Sequence, residues 1–276
     1  SGFPQPVWVC GEIQELRDKK HLYFTLSEKD PLSNAVQAKI GASIWANVRP
    51  RIESILQKAE NGFSLKEDIE VKLLCKVDFY PPFGQVRLIV EGIDPTYTLG
   101  KIAQDKQRLI AQLKQKGILD KNKSVVLPLL PLNIGLITSY DSAAYHDFID
   151  ELKKSGYPFK VHLIDSIMQG KTSRESVANA INLLNKLANI DVIVITRGGG
   201  SVTELSCFDS ELIATTIAKS TLPIISGIGH EINTTITDLA AHTFAKTPTA
   251  VAGFLVELIN QYKESIFEKA KNLATL

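Results

Sequence analysis

Apolar and polar residues alternate in short runs along the first third of the chain. The runs VWVCGEI, HLYFTL, AVQAKI, ASIWANV, EVKLLCKVDFY and QVRLIVEGI all fall within residues 7–94. The segments DKK, EKDPLSN, ENG and PPFG separate them and are typical of turns. About five strands in such a short stretch predict a small all-β barrel or sandwich, which we assign to residues 1–98.

The hydrophobic period then lengthens to that of a helix. Apolar residues recur at helical spacing over 99–118, and Gly117 supplies a stop signal. Pro128 and Pro131 disfavour regular structure after it. We therefore predict a connecting helix and linker over residues 99–128.

Strand-like and helix-like segments alternate strictly from residue 133 to residue 241. NIGLIT, FKVHLID, DVIVIT and PIISGIG are each followed by an amphipathic stretch. Continuous apolar strands separated by helices indicate βαβ units, with a parallel sheet covered on both faces. This predicts an α/β domain over 129–250. Residues 251–276 read as the start of a long helical region, so we expect the chain to be part of a longer one.

Composition narrows the functional classes only slightly. The 276 residues are 44% apolar, and 31 Lys and Arg against 30 Asp and Glu give a net charge of +1. That balance gives no overall argument for a polyanionic partner, so any basic footprint must be local. Cys10, Cys75 and Cys207 form no CxxC pair, which argues against structural zinc and favours reduced thiols. The absence of a spanning or leader segment predicts a cytoplasmic protein without membrane contact.

The unusual residues of the α/β domain fall in or just after the loops that follow the predicted strands. In open parallel sheets these loops form the ligand crevice, because helix N-termini converge there. The loops are Ser139–Ser142, Ser166–Lys171, Arg197–Glu204 and Gly229–Asn233.

The third of these loops reads RGGGS, residues 197–201. Bare backbone lets amides approach an anion, and an arginine adds a bidentate contact, so Arg197, Gly198, Gly199, Gly200 and Ser201 predict a phosphate cradle. A plain tight turn is the competing interpretation. No Gly-Lys-Ser/Thr follows, and a dinucleotide fingerprint would need glycine where Thr203 stands.

His230 ends an apolar run and opens a helix, where it could pack or cap, or act as a general acid or base. Asp147, a turn or so into the first helix, would alone be a solvated carboxylate. Glu204 and Asp209 could cap the next helix, with Asp209 well placed as its N-cap. We read His146 as an ordinary surface or packing residue.

The β domain carries a second, weaker signal. Arg17 and Lys20 precede Tyr23 in a basic turn, and Trp45 follows later. Alternation puts Tyr23 and Phe24 on opposite faces, so at least one of them should be core. Cations interleaved with exposed aromatics suit a single nucleic-acid strand, whereas a plain aromatic core is the competing interpretation.

Several stretches, taken in order, resemble the large subunit of bacterial exodeoxyribonuclease VII. They are VCGEIQEL, HLYFTLSEKD, FYPPFGQVRLIVEGIDP, LKQKGILDKNK, LPLNIGLITS, AAYHDF, ITRGGGSVTELSCFDSE and SGIGHEINTTITDLAAHTFAKTPTAVA. The resemblance implies an N-terminal OB-fold that binds single-stranded DNA, a nuclease domain, and a helical region on which several copies of a small helical subunit dock. It further implies exonucleolytic cutting from both ends to oligonucleotides, with no strict cofactor requirement and Mg²⁺ as the optional metal.

The resemblance transfers catalytic positions to Asp147, Arg197 and His230. It departs at Asn233, where the family has an aspartate, and at Asp141 in SYDS. Asparagine cannot ionise, so Asn233 can hold a water but cannot act as a base. Compensation by Asp141 or Glu231 and a weak or inactive site are the two interpretations of this departure. A binding-only scaffold subunit and an enzyme acting on a phosphorylated small molecule remain the alternatives to a nuclease.

Overall fold

A computed structural model describes residues 5–30, 35–59, 62–170, 172–228 and 234–274. The chain divides into two compact units, Ser1–Gln107 and Arg108–Leu276. The boundary between them falls inside helix α2 (Pro95–Gln115). Gly117 follows that helix with φ of 65°, the left-handed conformation expected of a glycine stop.

The first unit is a closed five-stranded barrel of OB-fold topology. Its strands pair in the order β1-β2-β3-β5-β4, with β3 and β5 parallel and the other pairs antiparallel. The elements are β1 (Val7–Asp18), β2 (Leu22–Lys29), β3 (Val36–Ile44), α1 (Arg49–Lys58), β4 (Glu70–Tyr80) and β5 (Gln85–Ile93). The predicted small β domain is therefore a barrel, and Phe24 lies in its core while Tyr23 is exposed.

Two local features of the barrel differ from the sequence pattern. The runs AVQAKI and ASIWANV belong to one strand, β3, which ends at Ile44. Helix α1 follows it and was not predicted, because only Ile52 and Leu56 are buried along its length. The apolar residues Ile52, Ile55 and Leu56 span little more than one turn, which is too short a run to establish a helical period.

The second unit is an open five-stranded parallel sheet in the order β7-β6-β8-β9-β10, as the alternating pattern predicts. Alternate residues of β8 enter hydrophobic clusters on opposite faces, Ile193 on one and Val194 on the other, which explains its continuous apolar sequence. The elements are β6 (Asn133–Thr138), α3 (Ala143–Lys154), β7 (Lys160–Asp165), α4 (Ser173–Leu184), β8 (Val192–Thr196), α5 (Val202–Leu205), α6 (Glu211–Lys219), β9 (Ile224–Gly227), α7 (Ile236–Ala240), β10 (Thr243–Phe244) and α8 (Pro248–Ala274).

The two-residue strand β10 is too short for a hydrophobic pattern to predict. In the part of the chain that the structure describes, no helix combines the length and the apolar character needed to cross a membrane.

Candidate functional site

A pocket opens at the carboxyl end of the parallel sheet, where the strand order reverses between β6 and β8. Its volume is about 160 Å³, and its lining includes Ser139, Ser142, Gln169, Arg197, Gly198 and Gly199. Three of the four loops selected from the sequence therefore meet here. We call this cavity the switch-point pocket; ligands of doubly wound sheets bind at such places.

The N-terminus of α3 forms one wall of the switch-point pocket. Ser142 caps this twelve-residue helix by accepting a hydrogen bond from the Tyr145 amide, and Ala143 and Ala144 line the cavity. The first amides of a helix have no intrahelical acceptor and carry the positive end of its dipole. This wall favours an anion.

Arg197 supplies the positive charge of the pocket. It directly follows β8 and is only 6% exposed. Its Nη2 donates to Glu204 Oε2 at 2.9 Å, whereas its buried Nη1 has no hydrogen-bond partner among the described residues. A buried guanidinium with one unsatisfied nitrogen is uncommon, because leaving such a donor unpaired is costly.

The glycines that follow Arg197 are not equivalent. A Cβ on Gly198 would meet nothing within 4 Å, whereas a Cβ on Gly200 would lie 2.5 Å from Glu204 Oε2 and 2.7 Å from Arg197 Nη1. Neither of these two glycines adopts a left-handed φ. Close approach, and not an unusual backbone conformation, is thus the reason for glycine at position 200. Ser201 Oγ accepts from the Glu204 amide at 3.4 Å.

The acidic candidates on the first loop and helix lie outside the pocket lining. Asp147 is exposed in the second turn of α3. Asp141, at φ of 57°, places Oδ1 2.7 Å from Nε2 of His146. His146 is exposed, as expected of an ordinary surface residue, and this pair lies at the surface. The pairing also directs Asp141 to His146, away from the pocket.

His230, Asn233 and Glu231 lie outside the described residues, so their roles stay predictions. Hydrogen bonds connect the segments that precede and follow these residues. Asp238, 1% exposed, accepts hydrogen bonds from Ser226 Oγ at the end of β9 and from the Thr235 amide and hydroxyl at the start of α7. One buried carboxylate therefore links the strand to the helix.

The expected capping roles of two acidic residues are wrong. Ser210, and not Asp209, caps α6, accepting from the Ile213 amide. Asp209 instead accepts from the Ile236 amide at 2.8 Å, and so joins the α6 entry to α7. Glu204 pairs with Arg197. The observed contact of Asp209 depends on a residue distant in sequence, and that of Glu204 depends on the direction of its side chain. Local helix propensity reports neither.

We tested the described residues for a metal donor set. No three or more histidine, cysteine, aspartate and glutamate side chains come together within them. The described lining of the switch-point pocket also contains no aspartate or glutamate, so it offers Mg²⁺ none of the one or two carboxylates that usually hold that ion.

The barrel carries a groove of about 300 Å³ across β1, β2, β3 and β5, which we call the barrel groove. Gly41 on β3 lies at the centre of the register, paired with Thr25 on β2 and with Arg87 on β5. Arg17 and Tyr23 are also cross-strand partners, and they too line the groove. The strand 2–3 face is the surface on which OB-folds bind oligonucleotides.

The sequence-predicted residues of the barrel separate into two groups. Arg17 and Tyr23 line the barrel groove, whereas Lys20 is exposed in the β1–β2 turn. Trp45 is half-buried, with its ring 4.6 Å from that of His21. Arg49 is engaged elsewhere, because it forms hydrogen bonds with Asp18 that lower the pKa of that carboxyl.

Sequence reasoning missed an aromatic and basic cluster where β4 turns into β5. Phe83 is 73% exposed and its ring stacks on Tyr80 with centroids 5.7 Å apart. The guanidinium of Arg87 lies over the Tyr80 ring, 4.5 Å from its centroid, and Arg87 Nε donates a hydrogen bond to Asp78 at 2.7 Å. The signal was present in FYPPFGQVR, where aromatics flank a proline turn and an arginine follows.

The fold and the two surfaces define a class of protein: an OB-fold barrel with a basic and aromatic groove, joined in one chain to a parallel-sheet unit with an arginine-lined pocket. Comparison with known proteins identifies the family. Residues 118–276 match the family model described as "Exonuclease VII, large subunit", and residues 1–94 match "OB-fold nucleic acid binding domain". The chain belongs to the exonuclease VII large-subunit family.

The curated relatives are exodeoxyribonuclease 7 large subunits. Those of Koribacter versatilis, Vibrio parahaemolyticus and Bacillus cereus are 33%, 32% and 31% identical over 98% of this chain. The chain spans 55–57% of the length of these three. A solved N-terminal domain of PriB from Thermoanaerobacter tencongensis matches 33% of the chain and 93% of its own, with 16% identity and a TM-score of 0.24, too low to bear on function.

Proposed function

We propose that the chain hydrolyses phosphodiester bonds of single-stranded DNA exonucleolytically, from both ends, releasing oligonucleotides. In this proposal it acts in the cytoplasm as the large subunit of a nuclease that includes several copies of a small helical subunit. The observation that carries the proposal is the buried Arg197, which lines the pocket beside helix amides and glycine backbone and whose Nη1 has no partner among the described residues.

Arg197 and the amides of Gly198–Ser201 would bind the scissile phosphate. Cleavage develops negative charge on the phosphoryl oxygens, and fixed donors in a buried site stabilise that charge without having to reorganise. A phosphate oxygen would also give Arg197 Nη1 the acceptor it lacks. His230 would activate the attacking water or protonate the leaving oxygen, and Asp147 would orient the histidine or the water.

Asn233 in this proposal holds a water and leaves base catalysis to His230. The barrel groove would bind the single strand through Arg17 and Tyr23, assisted by Lys20 and Trp45 at its border. Bases stack on aromatic faces and cations follow the phosphates, so such a surface binds without requiring a particular sequence. No step of this mechanism passes through a metal.

The test uses the full-length protein, with and without its small subunit, and end-labelled single-stranded and duplex oligonucleotides. We expect the single strand to shorten from both ends and Arg197→Ala to lose at least about a hundredfold in rate. Asp147→Asn and His230→Ala report on the other two proposed groups. A parallel reaction with EDTA measures any requirement for Mg²⁺.

The same assay separates the alternatives. A single strand that is bound but remains intact, even with the small subunit present, would leave a binding-only scaffold. The absence of any DNA binding would leave an enzyme acting on a phosphorylated small molecule. Asn233→Asp should raise the rate if a carboxylate is useful there.

A further inference from the structure

Three side-chain positions share one small volume beside the switch-point pocket. Arg197 Nη2 lies 2.9 Å from Glu204 Oε2, and both atoms cover the α-carbon of Gly200 so closely that a Cβ would come within 2.8 Å and 2.5 Å of them. Arg197 is buried, whereas Glu204 is nearly half exposed. Arg197 thus lines the switch-point pocket, and Glu204 reaches Arg197 from α5.

We propose that Glu204 is a positioning residue for Arg197, and that Gly200 is the position that leaves room for the pair. This inference rests on the proposed function. An arginine side chain has four rotatable bonds, and a guanidinium has two terminal nitrogens that can each take an acceptor. Glu204 occupies Nη2, which fixes the plane of the group and leaves Nη1 for the phosphate.

The position of Glu204 is itself fixed by the end of the glycine loop. The Glu204 amide donates to Ser201 Oγ, and the Leu205 amide donates to the Ser201 carbonyl at 3.0 Å. Ser201 therefore sets the first turn of α5, from which the Glu204 carboxylate reaches back to Arg197. The loop residue, the carboxylate and the arginine form one connected chain of hydrogen bonds.

Gly200→Ala perturbs this arrangement at little cost to folding. The atoms that its methyl group would meet are the ends of two flexible side chains, which can move, whereas the backbone needs no adjustment. The movement takes the guanidinium away from its place in the pocket. Gly100→Ala is the control, because Gly100 lies on α2 outside the pocket lining and its methyl group would meet nothing within 4 Å.

The experiment measures kcat, KM and melting temperature for Glu204→Ala, Glu204→Gln, Gly200→Ala and Gly100→Ala in the full-length protein with its small subunit. A misplaced catalytic group costs on the order of 10- to 100-fold. We expect losses of that size in kcat for Glu204→Ala and Gly200→Ala, with KM close to wild type. The melting temperature should stay close to wild type in Gly200→Ala and fall in Glu204→Ala, which leaves a second guanidinium nitrogen unpaired. Glu204→Gln keeps an acceptor and should recover part of the rate.

Wild-type kcat in Glu204→Ala and Gly200→Ala would overturn the proposal, as would an equal loss in Gly100→Ala. A fall in the melting temperature of Gly200→Ala that matches its fall in rate would assign the pair a structural role instead. If the wild-type protein cuts no DNA, the proposed function fails, and calorimetric binding of inorganic phosphate then tests the positioning separately. Glu204→Ala and Gly200→Ala must weaken phosphate binding about tenfold, with Gly100→Ala unchanged, or the inference is wrong.

Discussion

Arg87 provides the most direct test of the barrel groove, because it contributes to the groove in two ways. It lies 4.5 Å from the Tyr80 ring and so backs the aromatic stack formed with Phe83. Its charge also faces the path along which a phosphate backbone would run beside Gly41. Replacing it by glutamine removes the charge and most of the contact with Tyr80, but retains a polar side chain of similar length.

The size of the effect follows from these two contributions. The loss of one phosphate contact weakens binding directly. The cation–π contact with Tyr80 is present with or without DNA, so its loss acts by releasing the Tyr80 ring from its place in the aromatic stack. We expect Arg87→Gln to weaken binding by about 1–2 kcal/mol, roughly 5- to 30-fold. One fewer phosphate contact should also lower the slope of log K against log salt by about 0.7.

Fluorescence anisotropy with a labelled oligothymidylate, at several salt concentrations, measures both quantities. Arg51→Gln is the matched control, because Arg51 belongs to the same unit, is exposed on α1 and donates to the Glu91 carbonyl away from the groove lining. Asp78→Asn should tighten binding, since it removes the carboxylate that competes for Arg87. Equal losses in Arg87→Gln and Arg51→Gln would reduce the effect to net charge and refute the assignment.

Three further predictions concern the groove floor, the sheet core and the thiols. Gly41→Leu places a side chain in open space, so it should leave the melting temperature unchanged and weaken oligonucleotide binding at least about threefold; unchanged anisotropy titrations would contradict it. Gly135→Ala drives a Cβ to within 2.8 Å of both Leu184 methyl groups, and urea titration should show a loss of about 1–3 kcal/mol. Burial and the nearby Glu91 charge raise the pKa of Cys75 from 9.0 to about 12, so iodoacetamide at pH 8 should modify the exposed Cys10 and spare Cys75. Because the folded pKa of Cys75 is the higher one, its contribution to stability is complete below pH 9 and declines as the pH rises toward 12, which denaturation curves across that range would reveal.

The hydrophobic periodicity of the sequence was sufficient to predict the architecture of both units. Alternating runs predicted the barrel, and continuous apolar strands such as β8 predicted a parallel sheet with both faces covered. Helix α1 was missed because two buried residues do not establish a period, and β10 because two residues cannot. Each of these elements depends on the tertiary contacts that surround it, and single-sequence patterns do not contain those contacts.

The candidate site was predictable in its location but not in its internal pairing. The rule for open sheets selected the loops that line the switch-point pocket, and RGGGS marked the arginine. The pairing of Glu204 with Arg197 required knowing which way two side chains point. Asp209 was similarly misjudged, because its partner, Ile236, lies 27 residues away. Side-chain direction and long-range hydrogen bonds are properties of the folded chain alone.

The unpaired nitrogen of Arg197 has a consequence for the thermodynamics of the whole parallel-sheet unit. A donor without an acceptor lowers the free energy of unfolding, and an anion that supplies the acceptor only in the native state restores it. Under the proposed function, phosphate occupancy and resistance to heat would be linked, and the melting temperature would rise as the phosphate concentration exceeds the dissociation constant. Calorimetry of the unfolding transition would then report on ligand binding at Arg197.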